Sequence, residues 1–147
     1  MRFFKMIVGF IDRKERNTLD LKVKGEQYDL QQIYNEVNER YFSGALQLRI
    51  TWSSSAKNRA RVRRRLGCYD QKNQLIRIHR FLDHPQFPPF LIAYVVYHEM
   101  LHHVYPPIIK KGRRQIHHSE FKLQEKRFEE YLIAKKWQKE NKGYFFK

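Results

Sequence analysis

An α+β fold, with helices packed on a small antiparallel sheet, follows from three features of this 147-residue sequence. Leu30, Ile33, Tyr34, Val37 and Tyr41 recur at helical spacing. Short runs of β-favouring residues follow, around "LQLRITW", "RVRRRLGCYD" and "QLIRIHRF". A nearly continuous apolar segment then runs from Phe90 to Tyr105, too long for a strand and too short for a membrane span. The expected order is hairpin, helix, three strands, helix, helix.

Residues 3 to 11 are apolar, and Leu19, Leu21 and Val23 alternate with Asp20, Lys22 and Lys24 across the charged turn "DRKERNT". This predicts an N-terminal β-hairpin. "MRFFKMIVGFID" is short, is interrupted by Lys5 and lacks a small-residue cleavage site, so it reads as a strand rather than a signal peptide. The first helix is marked by Asp29 as N-cap, with Gln32 completing a capping box and Tyr28 and Ile33 at the positions of a hydrophobic staple. Gly44 suits its end. Leu46, Leu48, Ile50 and Trp52 place one apolar face on the next strand. The polar loop "SSSAKNRA" leads to two further strands joined by a turn at Asp70 to Asn73. Pro85, Pro88 and Pro89 precede the apolar helix, which Pro106 and Pro107 end. Being apolar almost all round, it belongs in the middle of the fold. The basic stretch "IIKKGRRQI" reads as a loop. A last helix starts at about His117, with Phe121, Phe128, Tyr131 and Leu132 inward. Residues 1–25 are therefore expected to be an extension, 26–140 the folded domain, and 141–147 a tail whose Tyr144, Phe145 and Phe146 can dock back.

Hydrophobic residues make up 41% and aromatics 15%, which excludes a disordered chain. Thirty Lys and Arg against 15 Asp and Glu give a formal charge of +15, so an acidic partner is expected, nucleic acid first and an anionic membrane surface second. The single cysteine, Cys68, excludes an internal disulfide and a Cys-based zinc ribbon, and suits a cytoplasmic protein.

The chemistry concentrates in "AYVVYHEMLHH". His98 and His102 are four residues apart on a helix, so both rings leave one face and can reach one metal ion. Glu99 points to the side, where it meets water beside the ion rather than the ion itself. The ion would act as a Lewis acid and lower the pKa of that water. Glu99 would take the proton as the water attacks a carbonyl carbon, then deliver it to the leaving amine. A catalytic zinc needs a third protein ligand. The pattern with a histidine ten residues after the first is excluded, because Ile108 stands there. Glu120 is one candidate from the later helix, and "QIHHSEF" offers His117 and His118.

Two segments carry the positive charge. "KNRARVRRR" holds six basic residues between Lys57 and Arg65, and Arg61, Arg63 and Arg65 share one face of a regular strand, with Arg64 between them. "KKGRR" adds Lys110, Lys111, Arg113 and Arg114. Such clusters bind phosphate backbones without sequence preference. Trp52 and Tyr69 are the nearest aromatics on which an unpaired base can stack.

"YNEVNERYFSGALQLRITWSS", "LGCYD", "LIRIH", "VVYHEMLHH" and "HHSEF", in that order, resemble the SprT-like zinc metalloprotease family, which includes the Spartan-type DNA–protein crosslink proteases. The resemblance spans about residues 28 to 130. It implies a zincin-like fold with the helix of His98, Glu99 and His102 beside a three-stranded sheet, one Zn2+, and a protein substrate associated with or crosslinked to DNA. The family's third ligand is a histidine four residues before an aromatic, in a segment like H-G-x-E-F. On Glu120 and Phe121 this selects His117, with His118 in the place of a small residue; His118 becomes the ligand if the helix starts one residue later. His103 is then a surface or supporting group. Many relatives carry a separate zinc ribbon or DNA-binding module that this sequence lacks, so DNA or RNA contact is expected from the domain itself. A non-proteolytic, zinc-containing nucleic-acid-binding module is the alternative.

Overall fold

In the computed structural model, which describes residues 21–54 and 65–144, helices pack on a mixed rather than purely antiparallel sheet. Helix α1 spans Leu30–Phe42, strand β1 Arg49–Trp52, β2 Gly67–Asp70 and β3 Leu75–Ile78. Helix α2 spans Pro89–Val104, β4 Ile108–Lys110 and β5 Arg113–Gln115. Helices α3 (Ser119–Glu125) and α4 (Tyr131–Glu140) close the order. The sheet order is β1-β3-β2, with β1 parallel and β2 antiparallel to β3. Alternation in sequence places the buried faces of β1 and β3 but carries no information on strand direction, which is why the parallel pair is not foreseen.

Asp29 caps α1 as expected, its carboxylate accepting from Gln31 N at 2.9 Å and Gln32 N at 3.3 Å. The reciprocal bond of a capping box, from Asp29 N to the Gln32 side-chain oxygen, does not form, and the Gln32 amide nitrogen donates to Glu36. The chain leaves the helix through Ser43 and Gly44, both at positive φ. Buried Asn38 then fastens the connection to β1, donating to Leu46 O and accepting from Leu46 N. The expected N-terminal hairpin lies mostly outside the described residues. Within them, Lys22 runs beside β1, donating to Thr51 Oγ1 and accepting from Trp52 N.

Helix α2 begins with Pro89 in its first turn and buries Leu91, Ile92, Val95, Val96, Met100 and Leu101 among its sixteen residues. It packs against α1, β2, β3, α3 and α4, the central position its composition predicts. Two expectations around it change. "IIKKGRRQI" is a two-stranded hairpin, turning at Lys111 and Gly112, which both have positive φ. The single last helix is broken between Glu125 and Tyr131. Phe121 and Phe128 are both buried and seven residues apart, a spacing that a continuous helix would also give. At the C-terminus Tyr144 docks back, stacking on Trp137 and meeting Phe87 edge-on. Phe145 and Phe146 are outside the described residues. Among the described residues no helix is long and apolar enough to cross a membrane.

Candidate metal centre

The second half of α2 is where polar groups enter the core. His98 and His102 lie one turn apart, and their Nε2 atoms are 3.2 Å from each other. His117, just before α3, brings its Nε2 to 3.2 Å from that of His102. One ligand atom from each of the three lies within 4.8 Å of the others. A tetrahedral zinc ion with bonds of about 2.0–2.1 Å separates its ligand nitrogens by roughly 3.3 Å, so this donor set fits such an ion. Burial, followed by the neighbouring His98 and His117, lowers the His102 pKa to about 3, and burial lowers that of His117 as well. Neutral imidazoles with free lone pairs are what a metal requires.

Phe121 is fully buried and forms the floor beneath the cluster, with ring centroids 5.1, 4.6 and 4.9 Å from those of His98, His102 and His117. The two adjacent histidines differ in their partners. His118 is the N-cap of α3, its Nδ1 accepting from Phe121 N and its Nε2 lying 3.1 Å from Pro106 O. That turns its ring away from the cluster that His117 joins. Glu120 is exposed and accepts from the Gln124 amide, so it does not reach the cluster. Glu125, which no spacing rule singles out, does contact it, its carboxylate accepting from His98 Nδ1. A carboxylate facing one ring nitrogen is a signal only the tertiary structure supplies.

Glu99 is 5% exposed. Burial raises its carboxyl to about 7, with the charges of His98 and Arg65 pulling the other way. It faces β2. A Cβ on Gly67 would lie 3.3 Å from Glu99 Cγ and Oε1 and 3.0 Å from Arg77 O. Glycine there leaves the room the carboxylate occupies. Leu66 O accepts from His79 N, so alternate residues of β2 bond to β3 while the backbone groups of Gly67 and Tyr69 point outward. Among the described residues no strand pairs with that outer edge. It forms one wall of a cleft of about 810 Å³ that also takes in His98, Glu99, His102 and His117.

The profile of the SprT-like family matches residues 30–140. The chain belongs to the SprT-like family. No curated protein and no solved structure matches it. The SprT-like match covers the four α-helices and both sheets found among the described residues, and with them the three histidines that can hold a metal ion.

The candidate nucleic-acid residues separate into two groups. Arg61, Arg63 and Arg64 are outside the described residues. Arg65 is exposed at the rim of the cleft, and Lys110, Lys111, Arg113 and Arg114 are exposed on the β4–β5 hairpin. Of the two aromatics suggested for stacking, Trp52 is 5% exposed and belongs to the core, which removes it. Tyr69 is half-buried, with its hydroxyl 2.7 Å from His103 Nδ1. The remaining two histidines fasten turns: His79 accepts from Phe81 N and His84 from Gln86 N.

Proposed function

We propose that this SprT-like domain is a zincin-like, zinc-dependent metallopeptidase acting on proteins associated with or crosslinked to DNA. The observation that carries the reading is the convergence of three imidazoles with a buried carboxylate one residue along the helix. His98, His102 and His117 would hold one Zn2+ through Nε2, leaving a fourth position open. When bound, zinc supplies Lewis acidity toward water and toward a peptide carbonyl oxygen. Glu99 takes a proton from water as that water attacks the carbonyl carbon. It then returns the proton to the amine nitrogen as the C–N bond breaks. Burial makes the Glu99 carboxyl a stronger base than a solvent-exposed one, the direction that favours taking up a proton. The outward backbone groups of Gly67 and Tyr69 offer an extended substrate a strand to pair with beside Glu99.

The nucleic-acid part of the proposal rests on the hairpin. Lys110 and Arg113 face each other across the ladder, and none of the hairpin's four cations has an ion-pair partner among the described residues. Unpaired cations clustered on one exposed hairpin suit a phosphate backbone lying over them. The free thiol of Cys68 fits a cytoplasmic setting. A non-proteolytic nucleic-acid-binding module would use the same hairpin, but a structural zinc site has no need of a carboxylate buried at Glu99.

The test is cleavage of a DNA-binding protein by zinc-loaded protein, with and without DNA, beside Glu99→Gln. Cleavage that needs both Glu99 and DNA supports the whole reading. Cleavage that needs Glu99 but ignores DNA removes the DNA part, and zinc and DNA binding without cleavage favours the binding module.

A further inference from the structure

The short helix α3 is gripped at both ends by the helix that carries the first two histidines. At its start His117 joins the cluster. At its end the Tyr97 hydroxyl donates to Gln124 O at 2.6 Å. The next residue, Glu125, directs its carboxylate at His98 Nδ1, and Tyr94 lies near enough to the same carboxylate for the two groups to affect each other's ionisation. Tyr94 and His98 are one turn apart on α2, so both face Glu125. Glu125 is largely shielded from water, with its side chain 13% exposed. An ionised carboxylate can only accept, so this contact requires the proton of His98 to sit on Nδ1. Nε2, the atom that faces His102 and His117, is then left with a bare lone pair.

Resting on the reading of the three histidines as zinc ligands, we propose that Glu125 is a positioning residue that fixes the tautomer and ring orientation of His98 for metal binding. Groups that act on a metal through a ligating histidine commonly alter affinity 10- to 100-fold. The role differs from that of Glu99, which faces the other side of α2 and meets β2. It also differs from a structural ion pair, because its effect is read at a ring nitrogen and at the metal.

The experiment compares wild type with Glu125→Leu, Glu125→Gln and His117→Ala. Zinc affinity is measured by chelator competition, His98 tautomer by ¹⁵N NMR of the metal-free protein, and ligand set by the visible spectrum with Co2+. In wild type His98 should carry its proton on Nδ1. Glu125→Leu should lose that preference and weaken zinc binding about 10- to 100-fold, while the Co2+ spectrum keeps its tetrahedral form. Glu125→Gln, whose amide oxygen still accepts from Nδ1–H, should recover most of the affinity. If Glu125→Leu does not fold, Glu125→Ala carries the same expectation. Zinc binding within twofold of wild type in the Leu or Ala variant overturns the proposal. So does a Co2+ spectrum altered as in His117→Ala, which would make Glu125 a ligand. Wild-type protein that takes up no zinc overturns the ligand reading and this proposal together, a result distinct from either of those.

Discussion

Helix α2 and the β4–β5 hairpin are neighbours in the chain and opposites in environment. Nine of the sixteen α2 residues are buried, whereas all six strand residues of the hairpin are exposed. In α2 a polar group persists only where another group engages it or a reaction needs it: His98 meets Glu125, His102 meets its partner histidines, and Glu99 sits against Gly67. In the hairpin, water solvates every charge, and Lys110 opposite Arg113 costs little when screened. A polar residue inside the first region is therefore evidence about chemistry. In the second, charge is evidence about partners, and only when no internal acid accounts for it.

The sharpest way to break this contrast is Glu99→Gln. It should keep zinc and fold but lower the rate of peptide hydrolysis by about 10²–10⁴-fold, measured by steady-state cleavage alongside zinc content. Full activity would remove Glu99 from the mechanism. Gly67→Ala asks whether space beside the carboxylate matters as much as the carboxylate. Its added Cβ crowds Glu99 and should reduce kcat by about 10²-fold with zinc affinity unchanged; unaltered kcat would show that β2 yields to the methyl group.

For the hairpin, reversing Lys110, Lys111, Arg113 and Arg114 to Glu should leave the melting temperature and the hydrolysis of a short uncharged peptide unchanged. It should also flatten the slope of log affinity for DNA against log salt by about 3. An unchanged slope, measured by fluorescence anisotropy across a salt series, would take the hairpin out of the interface. The smallest effect belongs to His118→Ala. Loss of the α3 cap should cost about 1 kcal/mol in urea unfolding with zinc stoichiometry unaltered. Loss of zinc from this variant would mean that the two adjacent histidines exchange roles.

The parts of the site legible in the sequence are those that one helix fixes by itself. His98, Glu99 and His102 lie within one α2 turn, so their relative directions follow from 3.6 residues per turn. His117 and His118 were separable only by family resemblance, because which ring turns inward depends on where α3 begins. That start is set by the His118 cap at Ser119. Glu125 was invisible, being 27 residues from His98 and joined to it through packing alone. The same division holds for the fold. The apolar run of α2 and the cap at Asp29 are local signals. The parallel pairing of β1 with β3 is a tertiary choice. So is the β4–β5 hairpin, whose exposed strands need no alternation to bury. The break after Glu125 is hidden by the helical spacing of Phe121 and Phe128 across it.

Diffraction data collected at the zinc absorption edge from crystals of zinc-loaded protein would test the central claim most directly. One anomalous peak is expected, about 2.0–2.1 Å from Nε2 of each of His98, His102 and His117, with the Glu99 carboxylate beside the open fourth position. No peak there, or an ion bound through His118 in place of His117, would contradict it.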